Sequence, residues 1–557
     1  MEKPSVNLGN NKWATKSGGI LGYEDGINKN VSPVEFDFSR ASSGTTVNRQ
    51  GLIELVDVSS IEKVVNGDFA TDTDWTKGTG WTIGGGSLNV DVSSWSGSTQ
   101  ILPIDVSGVM FNVTYEIIEN NSGSSLLMYI GDGNTVNIPR TVGIHSVSLI
   151  GYTSNNVFSI GSSLWNGKIT NISVKEVLEE YPRIDFSDDV NGALLLEPTS
   201  TNLIKYSEDF SNSYWVKSGS NVVQGFVSPD GTTNAYKLVE DASNGSHRSR
   251  VRLDLPSSKN TGSVFVKSGE RFKVAIQEGG ATNDYASYDL STGTLIEVGG
   301  NASYSIELIS NDWYRISLTP DTVQVRYDLN VTILEDSYTT GVPNSQPYQG
   351  NGTSGIYIYG AQLEQLPYAT SYIPNYGNAS GVTRVADLCN NGGQVGNFNS
   401  VEGILYAEMA ALSNNSNDRH LSLSDGSSSN RVDVYYNSIV GRLTARISVA
   451  GVNKYLEVNS ITQTEFSKIA VKFKLNDYAL WLNGVEVDTD TTGSIFSANT
   501  LNELSFDDGA SALPFYGKLK DLRVYRTALT DDDLVLLTRP SYDSYESMSS
   551  TLEYTIR

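Results

Sequence analysis

The chain has 557 residues and a mass of 60.4 kDa, which is enough for about three or four domains. Its 63 acidic and 39 basic side chains give a formal net charge of −24 and a pI near 4.5. A balance this negative argues against a nucleic-acid partner, because binding a phosphate backbone requires clustered Lys and Arg.

The composition favours strands and turns over packed helices. Glycine (52 residues) and tyrosine (30) are frequent, whereas methionine (5) is rare. The single cysteine, Cys389, excludes an intramolecular disulfide, and with three scattered histidines it cannot form a Cys/His zinc site. The first ten residues contain no apolar signal-peptide core, and no run of 18 apolar residues occurs. We therefore expect synthesis in a cytoplasm and no membrane insertion.

Residues 1–60 differ from the rest of the chain. They contain seven acidic and six basic side chains and few apolar ones, so nearly all of the negative charge lies downstream. A segment this poor in apolar residues cannot bury a core alone. We expect it to be extended, and we expect its removal to leave a folded protein.

Three later blocks show strand patterns, namely 61–178, 204–365 and 401–540. In residues 109–117 every second side chain is apolar, which indicates a half-buried strand. Asn483-Gly484 separates two further strand-like runs and favours a type I′ hairpin turn. The sequence therefore predicts an all-β protein with three antiparallel β-sandwich (jelly-roll) domains in tandem.

The remaining segments are predicted as connections. Residues 179–203 and 366–400 are linkers, and we expect no structural role for Cys389, because its Asn/Gly-rich surroundings offer little apolar cover. Thr530, followed by three aspartates and an apolar run, predicts one short helix. The polar tail, 541–557, is assigned no structure.

Several stretches resemble a signature of bacteriophage virion proteins, often tail or fibre components. They read YPRIDF at 181–186, GALLLEPTSTNLI at 192–204 and YSEDFSNSYW at 206–215, with further matches at 36–43, 48–53, 360–364 and 368–374. Residues 7–14 are similar to openings in phages of Bacteroidetes hosts, including crAss-like ones. Residues 401–540 resemble a concanavalin-A-like (laminin-G-like) jelly roll, and residues 61–178 a family 4/9-type carbohydrate-binding module.

The resemblance implies a non-enzymatic virion protein, either a tail, fibre or decoration component. The N-terminal segment would attach to other virion proteins, and the sandwiches would contact host cell-surface glycans. Several copies per virion are implied, and a homotrimer is one such assembly. A purely structural virion component and a glycan depolymerase remain alternatives.

No catalytic motif supports the depolymerase alternative. The chain contains no Gly-x-Ser-x-Gly, Walker loop or His-Glu-x-x-His. Jelly-roll glucanases carry Glu-x-Asp-x-x-Glu on one strand, but residues 486–490 read Glu-Val-Asp-Thr-Asp, and Thr491 occupies the position of the last Glu.

Candidate binding residues are aromatic side chains, on which sugar rings stack, and adjacent carboxylates. The aromatic candidates are Trp81, Trp95, Trp165, Tyr435 and Tyr436, although a sandwich core would also contain such residues. No cofactor is predicted apart from calcium, for which Asp507 and Asp508 in a predicted loop offer ligands. The two aspartates also fit an ordinary turn.

Overall fold

The computed structural model describes residues 2–25, 31–56, 58–123, 125–132, 135–178, 180–280, 284–415 and 417–540, with the backbone alone for 23–25, 31 and 32. The predicted tail, 541–557, lies outside the described residues. Unit 1 comprises Met1–Arg40, Glu180–Pro198 and Ala386–Arg557, and unit 2 comprises Ala41–Glu179 and Thr199–Val385. No helix within the described ranges is long and apolar enough to cross a membrane.

Unit 2 contains two antiparallel sandwiches. One sheet of the first sandwich has six strands, in the order Gly143–Ile150, Met110–Gly123, Trp165–Val177, Leu88–Asp91 and Trp81–Ile83, with Val58–Glu62 beside Trp165–Val177. The other sheet has five strands, in the order Val136–Asn137, Leu127–Ile130, Val157–Ser162, Ser96–Ile101 and Thr76–Lys77. The predicted alternation in residues 109–117 is confirmed, because Phe111, Val113, Tyr115 and Ile117 are each at most 1% exposed.

The second sandwich of unit 2 has two six-stranded sheets. The strands of one sheet are, in order, Val216–Ser218, His247–Ser258, Gln324–Leu334, Lys273–Glu278, Tyr285–Asp289 and Thr294–Gly299. The strands of the other are Ser220–Phe226, Ala235–Glu240, Gly355–Glu364, Thr261–Ser268, Tyr314–Pro320 and Ala302–Leu308. Short pairs accompany the two sandwiches, namely Thr45–Val47 with Ile53–Leu55, Ser200–Asn202 with Val382–Arg384, and Asn244–Gly245 with Tyr348–Gln349. One 3₁₀ turn covers Pro343–Ser345.

Unit 1 is a single sandwich with a five-stranded and a twelve-stranded sheet. The smaller sheet consists of Val452–Val458, Leu443–Val449, Arg431–Tyr436, Arg419–Ser424 and Glu503–Ser505. The larger sheet runs Leu388–Asn390, Val31–Ser39, Gly19–Asp25, Val6–Gly9, Gly517–Tyr525, Glu402–Ala411, Ser467–Lys474, Tyr478–Leu482 and Val485–Asp490, with Thr15–Lys16, Ala193–Leu196 and Arg183–Asp185 alongside. A 3₁₀ turn, Val395–Asn397, and the helix Asp531–Thr538 complete the unit.

The all-β antiparallel class predicted from the sequence is confirmed. Two local predictions are confirmed as well. Asn483 and Gly484 have φ values of 48° and 89° and join paired strands, as a type I′ turn requires. At the predicted helix, the Thr530 hydroxyl accepts a hydrogen bond of 3.3 Å from the backbone N–H of Asp533.

The N-terminal residues differ from the prediction of one extended segment, 1–60. The structure divides them between the two units, and Val6–Gly9 becomes an interior strand of the larger sheet in unit 1. Leu8 lies opposite Leu522 on Gly517–Tyr525 and is 1% exposed. The predicted linkers contribute three more strands, Arg183–Asp185, Ala193–Leu196 and Leu388–Asn390, to the same sheet. Distant pieces of chain therefore complete the C-terminal sandwich.

Cys389 also departs from its prediction. It lies opposite Phe38 in strand Leu388–Asn390 and is 1% exposed, within the apolar core of unit 1. Burial raises the pKa of the thiol. The expectation of little apolar cover was wrong, because the covering residues come from strand Val31–Ser39.

Candidate functional site

A groove of about 740 Å³ lies on the outer face of the larger sheet of unit 1. Strand Glu402–Ala411 turns Leu405, Ala407 and Met409 into the core, so the intervening Tyr406 and Glu408 occupy the opposite face. The helix Asp531–Thr538 covers part of this face with its buried leucines. The groove lies beside that helix.

The floor of the groove is a row of charged side chains, two carboxylates followed by an ammonium group. Glu408 lies opposite Asp521 on one neighbouring strand and opposite Lys468 on the other. Such cross-strand neighbours have Cβ atoms about 4.5–5.5 Å apart. Lys468 Nζ lies 4.0 Å from Glu408 Oε2, and Arg523 Nε donates to Asp521 Oδ1 over 3.0 Å.

A register irregularity supplies the rim of the groove. Glu408 pairs with Asp521 but Met409 pairs with Leu519, so Lys520 is the extra residue of a bulge. Its ammonium lies 4.0 Å from the centre of the Phe466 ring and 2.9 Å from Asp189 Oδ2. Four asparagines add amide groups to the lining, namely Asn10, Asn11, Asn191 and Asn483.

The electrostatics of the floor are dominated by burial. Burial raises the pKa of Asp521 to about 6, and the adjacent Glu408 acts in the same direction, while Arg523 and Lys468 oppose the shift. The groove thus presents both hydrogen-bond donors and acceptors beside the aromatic ring of Phe466. This arrangement suits a ligand that carries many hydroxyl groups.

None of the groove residues was predicted from the sequence as a binding residue. The floor depends on the register of three strands that are far apart along the chain, and no local motif encodes it. Residues 404–409 read Ile-Leu-Tyr-Ala-Glu-Met, an apolar run interrupted by Glu408. Such a run is consistent with a buried strand, but it does not indicate which side chains lie beside Glu408.

Most of the predicted sugar platforms are buried. The exposed fractions are 3% for Trp81, 0% for Trp165, 6% for Tyr435 and 0% for Tyr436. Tyr435 in addition stacks on His420 with ring centroids 4.0 Å apart. These four rings have no open face for a sugar, which corrects their prediction. Trp95 is 55% exposed and stays a candidate.

The predicted calcium ligands are engaged within the protein. Asp508 Oδ2 lies 2.9 Å from Arg431 Nη1, and Asp507 Oδ1 accepts a hydrogen bond of 2.7 Å from the N–H of Gly509. Within the described ranges, no group of three or more His, Cys, Asp and Glu side chains is arranged to hold a metal ion. Calcium binding at this pair stays a prediction.

Residues 406–535 match the family described as the Concanavalin A-like lectin/glucanases superfamily. This range contains the floor of the groove and part of the helix beside it, so the floor lies in the part of the chain that is similar to this superfamily. The match covers only this part of the chain. No curated protein sequence matches the chain.

Similar solved structures include a carbohydrate-binding module and a sialidase. The CBM40 of Ruminococcus gnavus IT-sialidase, bound to α2,6-sialyllactose, is 20% identical over 25% of this chain and 82% of its own, with a TM-score of 0.22. Mouse laminin α1 domains LG4-5 are 10% identical over 56% and 92%, at 0.19. Trypanosoma rangeli sialidase is 10% identical over 100% and 95%, at 0.22. Similarities this weak carry no argument about function.

Proposed function

We propose that the protein is a glycan-binding adhesion component of a bacteriophage particle and that the groove of unit 1 is its glycan site. The observation that carries the glycan part is the row Asp521, Glu408 and Lys468 on the sheet face of a concanavalin-A-like domain. Sugar hydroxyls both donate and accept hydrogen bonds, so a floor that contains both carboxylate acceptors and an ammonium donor matches them. The virion role is supported by the resemblance of the sequence stretches alone.

A glycan array tests the site when the groove is altered without disturbing the fold. The double variant Glu408→Ala/Lys468→Ala removes both members of a partly exposed pair, so neither charge is left facing an absent partner. We expect at least a tenfold loss of binding, because each floor group contributes hydrogen bonds to the ligand.

A matched control removes another lysine–carboxylate ion pair in the same unit. Lys454 Nζ and Asp490 Oδ2 lie 2.9 Å apart outside the groove, and Lys454→Ala/Asp490→Ala should bind as the wild type does. Equal loss in both double variants, or wild-type binding in the groove variant, would refute the assignment of the site.

Hydrolysis of the bound glycan is a second candidate. It is favoured by the adjacent carboxyl groups of Glu408 and Asp521, one of them with a raised pKa, since glycoside hydrolysis uses two carboxyl groups. An assay for new reducing ends on host polysaccharide decides between binding and cleavage. Cleavage would be established if the wild type releases reducing ends and Asp521→Asn does not. If the wild type releases none, the groove binds the glycan without cleaving it.

A further inference from the structure

Unit 2 contains a second cleft, of about 490 Å³, that shares no residue with the groove. One wall is the short hairpin Thr45–Val47 and Ile53–Leu55. A second wall is the outer face of the first sandwich, where strands Met110–Gly123 and Gly143–Ile150 place polar side chains opposite their core residues. The third wall comes from the second sandwich and from residues 372–376. The polar lining from the first sandwich is Asn112, Thr114, Ser146 and Ser148.

Glu208 lines this cleft with a carboxyl group whose two oxygens differ in their contacts. Its Oε1 accepts hydrogen bonds from three tyrosine hydroxyls, those of Tyr359 (3.0 Å), Tyr372 (3.1 Å) and Tyr376 (3.2 Å). The residue is only 8% exposed, and the hydrogen bonds to it from the described residues all go to Oε1. Because Oε2 is not among the buried atoms that lack a partner, it is accessible from the cleft and can accept a hydrogen bond from a ligand there.

The charge of the cleft defines that partner. Asp230 lies beside Glu208, and its Oδ2 accepts a hydrogen bond of 3.1 Å from Tyr359, while Glu54 lies at the exposed rim. The described residues that line the cleft include these three carboxylates and no Lys, Arg or His. Such a lining favours a cationic ligand over an anionic one.

The volume and the polar lining of the cleft further define the class of ligand that it can bind. A volume of about 490 Å³ falls in the range of small-molecule sites, and it is far larger than a bare metal ion requires. Hydroxyl and amide groups on the sheet face match a polyhydroxylated ring. Tyr376, which is half-buried, adds an aromatic surface that attracts a cation.

We propose that this cleft binds a saccharide with a free, protonated amine, and that the ammonium group pairs with Glu208 Oε2. The site is independent of the groove in unit 1 and of its proposed function. Burial raises the pKa of Glu208 to about 8, with Asp230 acting in the same direction. An arriving ammonium stabilises the ionised carboxylate, so binding at pH 7 releases a proton.

Two ligands that differ in the amine test the proposal directly. The full chain is titrated calorimetrically at pH 7 with the β-1,4-linked dimer of glucosamine, with its di-N-acetylated counterpart and with N-acetylneuraminic acid. The glucosamine dimer should bind at least tenfold more tightly than the acetylated dimer, and N-acetylneuraminic acid should not compete with it for the cleft. The observed heat should depend on the ionisation enthalpy of the buffer, because a proton is released.

Variants locate the binding in the cleft. Glu208→Gln should weaken binding of the glucosamine dimer at least tenfold. Ser148→Tyr fills the cleft from the outer sheet face and leaves Glu208 in place, and it should weaken binding by a similar factor. Glu270→Gln, at an exposed pair with Lys237, should leave binding unchanged. Equal affinity for the two dimers, no binding of the glucosamine dimer, or full binding in Ser148→Tyr would overturn the proposal.

Discussion

Glu208 makes the stability of unit 2 depend on pH. Its folded-state pKa of about 8 exceeds the ordinary 4.5, so the folded state holds the proton more tightly than the unfolded state does. The associated stability is fully present below about pH 4.5, and it is lost as the pH rises to about 8. Each tenfold difference in proton affinity between the folded and unfolded states corresponds to about 1.4 kcal/mol, so this one carboxyl group gives unit 2 a measurable pH dependence.

We predict that the unfolding temperature of unit 2 decreases between pH 5 and 8 and that Glu208→Gln removes most of this decrease. Scanning calorimetry at constant ionic strength measures the slope, and Glu270→Gln is the control that should retain it. An unchanged slope in Glu208→Gln would show that another group is responsible.

Cys389 provides a second residue-scale test. In Cys389→Ser a hydroxyl replaces a thiol that is 1% exposed in the apolar core of unit 1. Burying a hydroxyl without a partner costs about 1–3 kcal/mol, so the unfolding temperature of unit 1 should fall by at least about 2–4 °C. Cys389→Ala separates the loss of volume from the polar cost and should be the less damaging change. A wild-type unfolding temperature in Cys389→Ser would contradict the burial.

Between the elements of unit 1, a buried ion network joins three separate parts of the chain. Arg183 pairs with both Glu197 and Asp387, and Arg40 Nη1 lies 2.9 Å from Asp387 Oδ1. All four side chains are at most 3% exposed. Arg183 and Glu197 belong to the stretches that resemble the virion signature, so at these two positions the signature contributes to the structure of the fold.

Breaking this network should be strongly destabilising. Arg183→Ala removes the cation that pairs with the buried carboxylates of Glu197 and Asp387. We therefore predict a loss of about 3–5 kcal/mol in the free energy of unfolding of unit 1. Denaturant unfolding measures it. Lys16→Ala, at a pair whose side chains are 67% and 50% exposed, should change stability by less than about 1 kcal/mol. Similar losses in the two variants would contradict the role of burial.

The N-terminal strands are predicted to be essential to unit 1. Deleting residues 2–40 removes Val6–Gly9, exposes one edge of Gly517–Tyr525 and uncovers core residues such as Leu522. Exposed edges and apolar patches promote aggregation. We therefore expect the truncated chain to aggregate, as measured by size-exclusion chromatography and circular dichroism. A monodisperse truncated chain with the wild-type spectrum would refute this prediction.

The same strands show how far the sequence predicts the fold. Alternation, the Asn483-Gly484 turn and the Thr530 cap are local signals, and each is present in the structure. The pairing of the N-terminus with Gly517–Tyr525 joins residues 519 apart, as in the bond from Ser5 to Val524, and nothing local encodes it. Trp81 is buried and Trp95 is exposed for the same reason, because the strand register decides whether a ring lies inside or outside a sandwich.

At the scale of the whole molecule, charge bears on both proposed sites. The net charge of −24 repels anionic surfaces and other copies of the chain at low ionic strength. The lining of the groove in unit 1 balances three cationic side chains, Lys468, Lys520 and Arg523, with three carboxylates, whereas the described lining of the cleft in unit 2 has carboxyl groups and no cation. An acidic host glycan would therefore meet cationic side chains in the groove but not in the cleft.

The central claim, that the groove of unit 1 binds a host-surface glycan, is tested most directly by calorimetric titration of the purified chain with the strongest amine-free ligand from the array. We predict saturable binding with one glycan per chain, at least tenfold weaker in Glu408→Ala/Lys468→Ala and unchanged in Lys454→Ala/Asp490→Ala. Wild-type affinity in the groove variant, or no saturable binding by the wild type, would contradict the claim.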